Sequence, residues 1–514
     1  MLTKWTTHFK PDLHIFDEAT KKFFAKELSP SEYKGTSGGF GAYGERGANT
    51  LMYRLRFSSG IVTADDLKAL LELIPKYNVP MVHFTTCQSI QLHHITEEKA
   101  LPLIHDLYDH GILTRGGGSD FPRNITGPAL TGVDPNEYFD VRPYMEAAGE
   151  QLLSYIGQVT LPRKLKVSFS NSPDNTPHTS IRDLGFVGNA NGTFDVYSIG
   201  GLGPNPKLGV KCYEQVPADQ ILYYIDAFIA TWTILGDYKN RAKNRTRYLQ
   251  VTPGLIEYQK LFEEKLAQAK KKDLTIKDIT VPQIHKTGQA KGLTHPRIHN
   301  QKQAGLYYVD YHPIGGTPTV AEFLDLAKAI VAIPEAELRL AADETAYIVN
   351  LTADQALRIA KLTDTVHTAK TAFEESVSCV GATVCQIGLQ DSHGLLEAIL
   401  AAAKPYQFKD GILPRLYISG CHNSCGTHEV GTIGFQGAFK PVDGKPQPAF
   451  QLHYGGSAHF GKETFGQHLG TLLATVIPQF IVALGEKVQA SGLDFLSWDK
   501  AHHDDFLALI KDYE

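Results

Sequence analysis

The chain has 514 residues, enough for roughly three domains at the usual ~150 residues each. A hydrophobic fraction of 42% and a charged fraction of 20% exclude the disordered, collagen-like and coiled-coil classes. The net charge of −5 argues against a general nucleic-acid binder, although it leaves room for a local basic pocket. No secretory h-region is present, and no apolar run reaches the ~20 residues of a membrane span, so we expect a soluble cytoplasmic protein.

The first glycine-rich motif, GFGAYG (39–44), has the letters of a dinucleotide-binding fingerprint. That fingerprint needs a helix directly after the glycines, because the helix N-terminus receives the pyrophosphate. The following residues predict a strand instead, so we reject a dinucleotide site here.

Two distant stretches, TLMYRLRFSSGIVTADDLKALLELI (50–74) and GLYYVDYHPIGGTPTVAEFLDLAKAI (305–330), resemble each other. Both predict a strand, a glycine turn and an amphipathic helix. Each helix opens with a capping box, in which a threonine oxygen accepts an early backbone N–H. The paired residues are Thr63 with Asp66, and Thr319 with Glu322.

The next segment, VHFTTCQSIQLH (82–93), is predicted to be one half-buried strand that corresponds to LRLAADETAYIV (338–349). Because side chains alternate along a strand, one face is apolar and the other must meet solvent or a ligand. The apolar face carries Val82, Phe84, Ile90 and Leu92. The polar face carries His83, Thr85, Cys87, Ser89, Gln91 and His93.

Further pairings follow in the same order: LPRKLKV (161–167) with LPRLYIS (413–419), and DLGFVG (183–188) with TIGFQG (432–437). Together they predict an internal duplication, with halves of about 1–250 and 300–514 joined by a charged, helical segment.

Two cationic stretches lie in the first half. LPRKLKVSF predicts a strand with Lys164 and Lys166 on one face, which alone is typical of a solvated face. Arg123, in RNITGP after the turn RGGGSD, could hold an anion or be an ordinary loop arginine.

The six cysteines are Cys87, Cys212, Cys379, Cys385, Cys421 and Cys425. The last four form C-x5-C and C-x3-C within one late segment, which favours a metal site over a disulfide framework. Four thiolates suit either a [4Fe–4S] cluster or zinc, and His422 or His428 could complete a zinc site.

The motifs SCVGATVCQIG (378–388) and SGCHNSCGTHEVGTIGFQG (419–437), with RNITGPALTG and LPRKLKV, resemble the sirohaem and [4Fe–4S] sulfite and nitrite reductases over about 40–510. The resemblance implies an α+β fold made by internal duplication, with paired ferredoxin-like half-domains and two larger α/β lobes that bind sirohaem and cluster. The implied segments are a half-domain (40–115), a lobe with the distal substrate face (116–250), a charged helical linker (251–299), a second half-domain (300–368) and a cluster-binding lobe (369–514).

The same resemblance implies the site residues. The cluster ligands would be Cys379, Cys385, Cys421 and Cys425, and Cys425 would also bind the sirohaem iron. The substrate positions would be Arg123, Lys164, Lys166 and Cys87. Further sirohaem contacts would come from Arg54, Arg56, Gln88, Arg115 and Asn423.

The implied activity is the six-electron reduction of sulfite to sulfide, because sulfite-using relatives also have a second lysine two residues after the first. Nitrite reduction to ammonia is the alternative. Electrons would come from a ferredoxin or a flavoprotein subunit. Two further interpretations stay open: an oxygen-using enzyme of corrinoid synthesis with the same duplicated fold, and a non-catalytic four-cysteine zinc or electron-transfer protein.

Two residues depart from the family pattern. Cys87 stands where the family usually has an arginine, so the pocket loses a fixed positive charge. His83, His93 or another nearby base could take over its role. His422 stands where proline is common and is interpreted as a neutral loop substitution.

Overall fold

The computed structural model of the protein describes residues 2–47 and 49–514. The chain divides into two compact units. Unit 1 consists of the residues up to Gly201, Lys207–Tyr311 and Pro318–Thr365. Unit 2 consists of Leu202–Pro206, His312–Thr317 and Val366–Glu514.

Three helices that the sequence analysis did not predict precede the first sheet: α1 (Leu2–Phe9), α2 (Leu13–Phe24) and α3 (Pro30–Ser37). The buried face of α2 carries Phe16 and Phe23, which pack into the first hydrophobic core. These helices therefore belong to the first half-domain.

The first half-domain follows as β1 (Ala42–Gly44), β2 (Leu51–Leu55), β3 (Ile61–Val62), α4 (Ala64–Lys76), β4 (Met81–Phe84), β5 (Ile90–Ile95) and α5 (Glu97–Asp109). Its antiparallel sheet has the order β1-β2-β5-β4. The strand predicted after GFGAYG is confirmed as β2, and the end of the motif itself forms β1. Helix α4 begins at the predicted Thr63–Asp66 capping box.

The prediction of one strand over 82–93 is wrong, because the segment is a hairpin. β4 and β5 pair through Phe84 and Ile90, and residues 85–89 form the turn between them. The predicted apolar face is nevertheless fully buried. Phe84 and Ile90 are an even number of residues apart, so the alternation of apolar and polar residues continues without a break across the turn. The sequence pattern therefore gives no sign of the turn.

The first lobe contains α6 (Arg142–Ser154), β6 (Val167–Ser170), β7 (Leu184–Gly188), β8 (Thr193–Ser198), β9 (Val210–Pro217), α7 (Ile221–Leu235) and α8 (Leu255–Ala269). Its sheet has the order β6-β7-β8-β9, with β6 and β7 parallel. The helix predicted in the charged segment is confirmed as α8, but Tyr258 and Phe262 of α8 pack into this lobe's core.

The second half-domain repeats the first. It consists of β10 (Ile298–Asn300), β11 (Tyr307–Tyr311), α9 (Val320–Val331), β12 (Glu337–Leu340), β13 (Ala346–Leu351) and α10 (Ala353–Leu362). The strand order β10-β11-β13-β12 matches that of the first copy, and β3 extends this second sheet beside β12. The two copies share one hydrophobic core, and α9 begins at the predicted Thr319–Glu322 capping box.

Unit 2 carries the second lobe: β14 (Val377–Ser378), α11 (Gly381–Val384), α12 (Ser392–Ala403), β15 (Leu416–Ser419), β16 (Ile433–Val442), β17 (Lys445–Tyr454), β18 (Gln467–Leu473), α13 (Ile477–Ser491) and α14 (Phe495–Tyr513). The sheet order is β14-β15-β16-β17-β18, and β14, β15 and β16 are parallel. The parallel pair β15–β16 repeats the pair β6–β7, which confirms the predicted duplication. Across the described residues, no helix is both long and apolar enough to cross a membrane.

The matched capping boxes give a stability prediction. Replacing Thr319 by alanine removes the oxygen that accepts the Glu322 backbone N–H (3.2 Å). We expect a loss of about 1 kcal/mol in the free energy of unfolding, and a similar loss for Thr63→Ala. Urea unfolding followed by circular dichroism measures both. Thr319→Ser, which keeps the oxygen, is the control, and equal destabilisation by serine and alanine would contradict the capping role.

Candidate active site and thiol loops

The loop that carries Arg123 runs beside β6 in unit 1 as an added parallel strand. The Arg123 N–H donates to the Leu165 carbonyl (2.9 Å), and the Thr126 N–H donates to the Val167 carbonyl (3.2 Å). The stretch before β6 is less regular than predicted, since only Leu165 makes an isolated bridge there. Lys164 and Lys166 are half-buried on this stretch.

The hairpin turn at Cys87 is attached to the same loop by Gln88. The Gln88 amide donates to the Gly127 carbonyl (2.9 Å) and accepts from the Gly127 N–H (2.8 Å). It also donates to the Leu340 carbonyl at the end of β12 (2.7 Å). The Asn124 side chain donates to the Gln88 carbonyl (3.0 Å). Cys87 is therefore held next to the Arg123 loop.

Four cations lie within electrostatic range of the half-buried Cys87 thiol: Lys166, Arg182, Arg54 and Arg123. Burial opposes ionisation of the thiol, but these positive charges outweigh it and lower the pKa of Cys87 to about 6. We call this group of five side chains the cation pocket. At neutral pH, Cys87 is accordingly a thiolate within it.

One member of the pocket, Arg182, was not predicted from the sequence. This side chain is 6% exposed and lies just before β7, where its Nε donates to the Pro177 carbonyl (3.1 Å). Its position before the repeated DLGFVG segment was the only available signal, because a single arginine in a turn has no distinctive spacing.

The arginines predicted to contact sirohaem also donate to backbone carbonyls, and two of them bind the RGGGSD turn or the residues directly after it. Arg54 donates to the Gly117 carbonyl (2.7 Å), and Arg56 donates to the Pro122 and Arg123 carbonyls (both 2.9 Å). Arg115 donates to the Gly39 carbonyl (2.8 Å) and lies over the Phe40 ring. Their positive charges fit a macrocycle rich in carboxylates, and contact with it stays a prediction.

Arg123 itself is turned toward that same loop. Its Nη1 and Nη2 donate to the Gly117 (3.0 Å) and Ser119 (2.9 Å) carbonyls, while its buried Nε has no hydrogen-bond partner. Arg123 therefore contributes positive charge to the cation pocket, while its two Nη atoms stabilise the RGGGSD turn.

The two histidines considered as replacement bases are both buried. His93 Nδ1 lies 2.7 Å from a Glu45 carboxylate oxygen, and burial lowers the pKa of His93 despite that carboxylate. His83 packs edge-on against His93. His93 is thus engaged with Glu45, and neither histidine is among the charges that lower the Cys87 pKa most.

In unit 2, the two cysteine motifs follow the carboxyl ends of the adjacent parallel strands β14 and β15, which brings their loops to one edge of the sheet. The loops are linked because the Gly420 N–H donates to Cys379 Sγ (3.2 Å) and the Leu389 N–H donates to the Gly420 carbonyl (2.8 Å). A Cβ on Gly426 would lie 2.1 Å from the Ile418 carbonyl oxygen, so only glycine allows this close approach.

The thiols differ in exposure and share polar support. Cys421 is buried and accepts from the Asn423 amide (3.4 Å), Cys379 and Cys385 are half-buried, and Cys425 is exposed. Burial and the neighbouring Cys425 thiol raise the pKa of Cys379 to about 12. N–H donors to sulfur are typical of iron–sulfur sites, so these loops fit a [4Fe–4S] cluster.

Among residues 2–47 and 49–514, no three histidine, cysteine, aspartate or glutamate side chains are grouped closely enough to hold one ion. His428, which the zinc alternative would use, is fully buried with its Nε2 3.1 Å from the Gln436 amide oxygen.

Comparison with known proteins identifies the class. A family model described as "Nitrite and sulphite reductase 4Fe-4S domain" matches residues 118–270, and one described as "Nitrite/Sulfite reductase ferredoxin-like half domain" matches residues 43–110. The duplicated α+β fold and the paired thiol loops thus define a sirohaem and iron–sulfur oxidoreductase.

Individual relatives agree with this class. The ferredoxin–nitrite reductase of Synechococcus elongatus is 27% identical over 445 residues, which cover 82% of this chain and 81% of that protein. The chloroplastic ferredoxin–nitrite reductase of Arabidopsis thaliana is 25% identical over 434 residues, covering 80% and 72%. The structure of the Mycobacterium tuberculosis NirA protein has a TM-score of 0.78 at 22% identity, covering 96% of this chain and 94% of that one.

The matches over residues 43–110 and 118–270 support the nitrite and sulphite reductase family, whose cofactors are sirohaem and a [4Fe–4S] cluster. The matched 118–270 region holds only one cysteine, Cys212, whereas the four clustered thiols are in the second lobe. The matched domain is therefore the copy without the thiol motifs.

The cation pocket predicts unusual reactivity of Cys87. Alkylation by iodoacetamide requires the thiolate, so its rate at Cys87 should rise through a midpoint near pH 6 instead of near the ordinary thiol pKa. Peptide mass spectrometry after timed quenching measures the rate at each pH. The half-buried Cys212, whose pKa burial raises, is the internal control, and a midpoint equal to that of Cys212 would contradict the electrostatic assignment.

Proposed function

We propose that the protein reduces nitrite to ammonia at a sirohaem coupled to a [4Fe–4S] cluster, with Cys379, Cys385, Cys421 and Cys425 as cluster ligands and Cys425 shared with the sirohaem iron. When bound, these cofactors supply the six electrons one at a time. The relatives from Synechococcus elongatus and Arabidopsis thaliana are named nitrite reductases, which supports this substrate over the sulfite predicted from the sequence.

The observation that carries the choice of nitrite is the position of Cys87 among four cations, which lower the pKa of its thiol to about 6 and so favour the thiolate. A thiolate cancels one positive charge where an arginine would add one. Nitrite carries a single negative charge, whereas sulfite at neutral pH is a mixture of the monoanion and the dianion, so the reduced positive charge disfavours the sulfite dianion more strongly than nitrite. The sequence argument for sulfite rested on the lysine pair and did not include this thiolate.

Sulfite stays the second candidate because Lys166 belongs to the cation pocket and Lys164, two residues before it, is also half-buried instead of lying on a solvated face. Two ammonium groups would favour a more highly charged oxyanion.

The residues of the pocket bind and orient the anion and hold protons. Lys166 lies near another cation, Arg182, since both side chains act electrostatically on Cys87 and on His178. Its backbone N–H donates to the buried Asp183 carboxylate (2.9 Å), which fixes the position of its Cα. Lys166 is thus the residue we assign to deliver protons as N–O bonds break.

The electron donor is proposed to be a ferredoxin, as the names of the relatives indicate for those proteins. A flavoprotein subunit is the alternative. Within residues 2–47 and 49–514 no two cysteines form a disulfide, which suits a reducing compartment such as the cytoplasm.

Steady-state kinetics of anaerobically purified holoenzyme, with reduced methyl viologen as donor, test the proposed substrate. We expect kcat/KM for nitrite to exceed that for sulfite by about tenfold or more, which corresponds to about 1.4 kcal/mol of discrimination. A reversed ratio would establish the second candidate. A colourless protein that contains zinc would instead support the non-catalytic alternative.

Lys166→Gln tests the proton-delivery assignment. Removal of a general acid typically costs about 10²- to 10⁴-fold in rate, so kcat for nitrite should fall by at least about a hundredfold. The control is Lys68→Gln on the exposed face of α4, which removes an equal charge in a salt bridge with Asp65. If kcat is unchanged while KM rises, Lys166 only binds the anion.

A further inference from the structure

The segment between β6 and β7 carries two buried polar side chains with an unpartnered atom each. His178 is 8% exposed with no hydrogen-bond partner for Nδ1, and Arg182 is 6% exposed with none for Nη2. A buried polar atom without a partner costs free energy, and such atoms commonly mark a ligand site. Both side chains belong to one turn, because the Ile181 N–H donates to the His178 carbonyl (3.0 Å).

The neighbouring Asp183 acts on Arg182 electrostatically but makes no hydrogen bond with its side chain. The Asp183 carboxylate accepts the Lys166 backbone N–H (2.9 Å) and pairs with Arg245 (3.0 Å). Arg182 meanwhile uses Nε to bind the Pro177 carbonyl, which fixes the guanidinium and leaves Nη2 unpartnered. The Nη2 atom of Arg182 is thus held in place as a hydrogen-bond donor that has no acceptor among the described residues of the protein.

Hydrogen bonds connect this turn to Cys87 in three steps. The Leu184 N–H donates to the Lys166 carbonyl (3.3 Å), which joins β7 to the stretch before β6. That stretch pairs with the Arg123 loop, and Gln88 attaches the loop to the hairpin turn. Arg182 and the Cys87 thiol consequently act on each other electrostatically.

We propose that Arg182 is an anion-binding residue of the active site, donating from Nη2 to an oxygen of the substrate oxyanion in the cation pocket. The inference rests on the proposed function for the identity of that anion. With Cys87 at the position where an arginine was expected, Arg182, just before β7, would supply the guanidinium instead. The chain would then keep an arginine donor in the pocket.

A carboxylate oxygen of the sirohaem could accept the same hydrogen bond from Arg182 as a substrate oxygen would. The following variants distinguish these two acceptors. Arg182→Gln removes the charge, and Arg182→Lys keeps it. Arg297→Gln is the matched control, because Arg297 is also buried and binds Thr363 (2.9 Å) in the second half-domain. The readouts are sirohaem per chain, the dissociation constant for nitrite from the haem absorbance of the oxidised holoenzyme, and KM for nitrite and for hydroxylamine.

Loss of a charge-assisted hydrogen bond should weaken nitrite binding by about tenfold or more in Arg182→Gln. Hydroxylamine is uncharged at neutral pH, so its KM should change far less. Arg182→Lys should fall between the glutamine variant and the wild type, and Arg297→Gln should bind nitrite like the wild type. Sirohaem content should be unchanged in all three variants.

A charge-relocation variant gives a readout that a structural role would not move. Cys87→Arg combined with Arg182→Gln returns the guanidinium to the hairpin, and it should recover most of the lost nitrite affinity. In Arg182→Gln alone, the alkylation midpoint of Cys87 should rise, because one of its four neighbouring cations is gone.

Three results would overturn the proposal: unchanged nitrite affinity in Arg182→Gln, equal rises in KM for nitrite and hydroxylamine, or lower sirohaem content, which would assign Arg182 to the macrocycle. Repeating the titration with sulfite distinguishes this failure from failure of the proposed function. If the enzyme prefers sulfite but Arg182→Gln weakens sulfite binding, Arg182 still binds the substrate anion and only the substrate assignment is wrong.

Discussion

The active-site half of the molecule depends on the side chain of Gln88, which joins three separate elements. Its amide bonds to both polar groups of the Gly127 backbone and to the Leu340 carbonyl, so it connects the first half-domain, the first lobe and the second half-domain. It is fully buried at a φ of +53°. An amide matches this set of donors and acceptors, whereas glutamate would lack the donor. The position of Cys87 follows from this one side chain.

Several buried positive charges surround Cys87. Their desolvation costs free energy, which a negative charge nearby would offset. Arg56, Arg123 and Arg182 are each buried enough for desolvation to lower their pKa values. Some of this cost is offset by backbone carbonyls of the RGGGSD turn and some by the Cys87 thiolate. Binding an anion in the pocket relieves the remainder, which makes the pocket electrostatically suited to a small oxyanion.

Local patterns predicted the elements, while contacts between distant segments decided the site. The capping boxes at Thr63 and Thr319 and the buried alternation of Leu165 and Val167 depend only on neighbouring residues, and they were predictable. The hairpin at Cys87 was not, because its turn preserves the alternation. The bonds of Arg54 and Arg56 to the RGGGSD backbone, and the approach of Arg182 to Cys87, depend on loop packing that no periodicity encodes.

The duplication explains how one strand–turn–strand unit came to serve two purposes. In each lobe a short turn precedes the second parallel strand, and it opens at a left-handed residue, His178 in one copy and Thr427 in the other. In the second lobe the chain before this turn carries Cys421 and Cys425. In the first lobe the turn itself ends at Arg182, whose counterpart at the DLGFVG–TIGFQG offset is Gly431. A Cβ on Gly431 would lie 2.2 Å from the Tyr417 ring, so the second copy excludes any side chain at the position where the first copy places its guanidinium. One copy therefore carries the thiol motifs and the other carries the cations, on the same backbone.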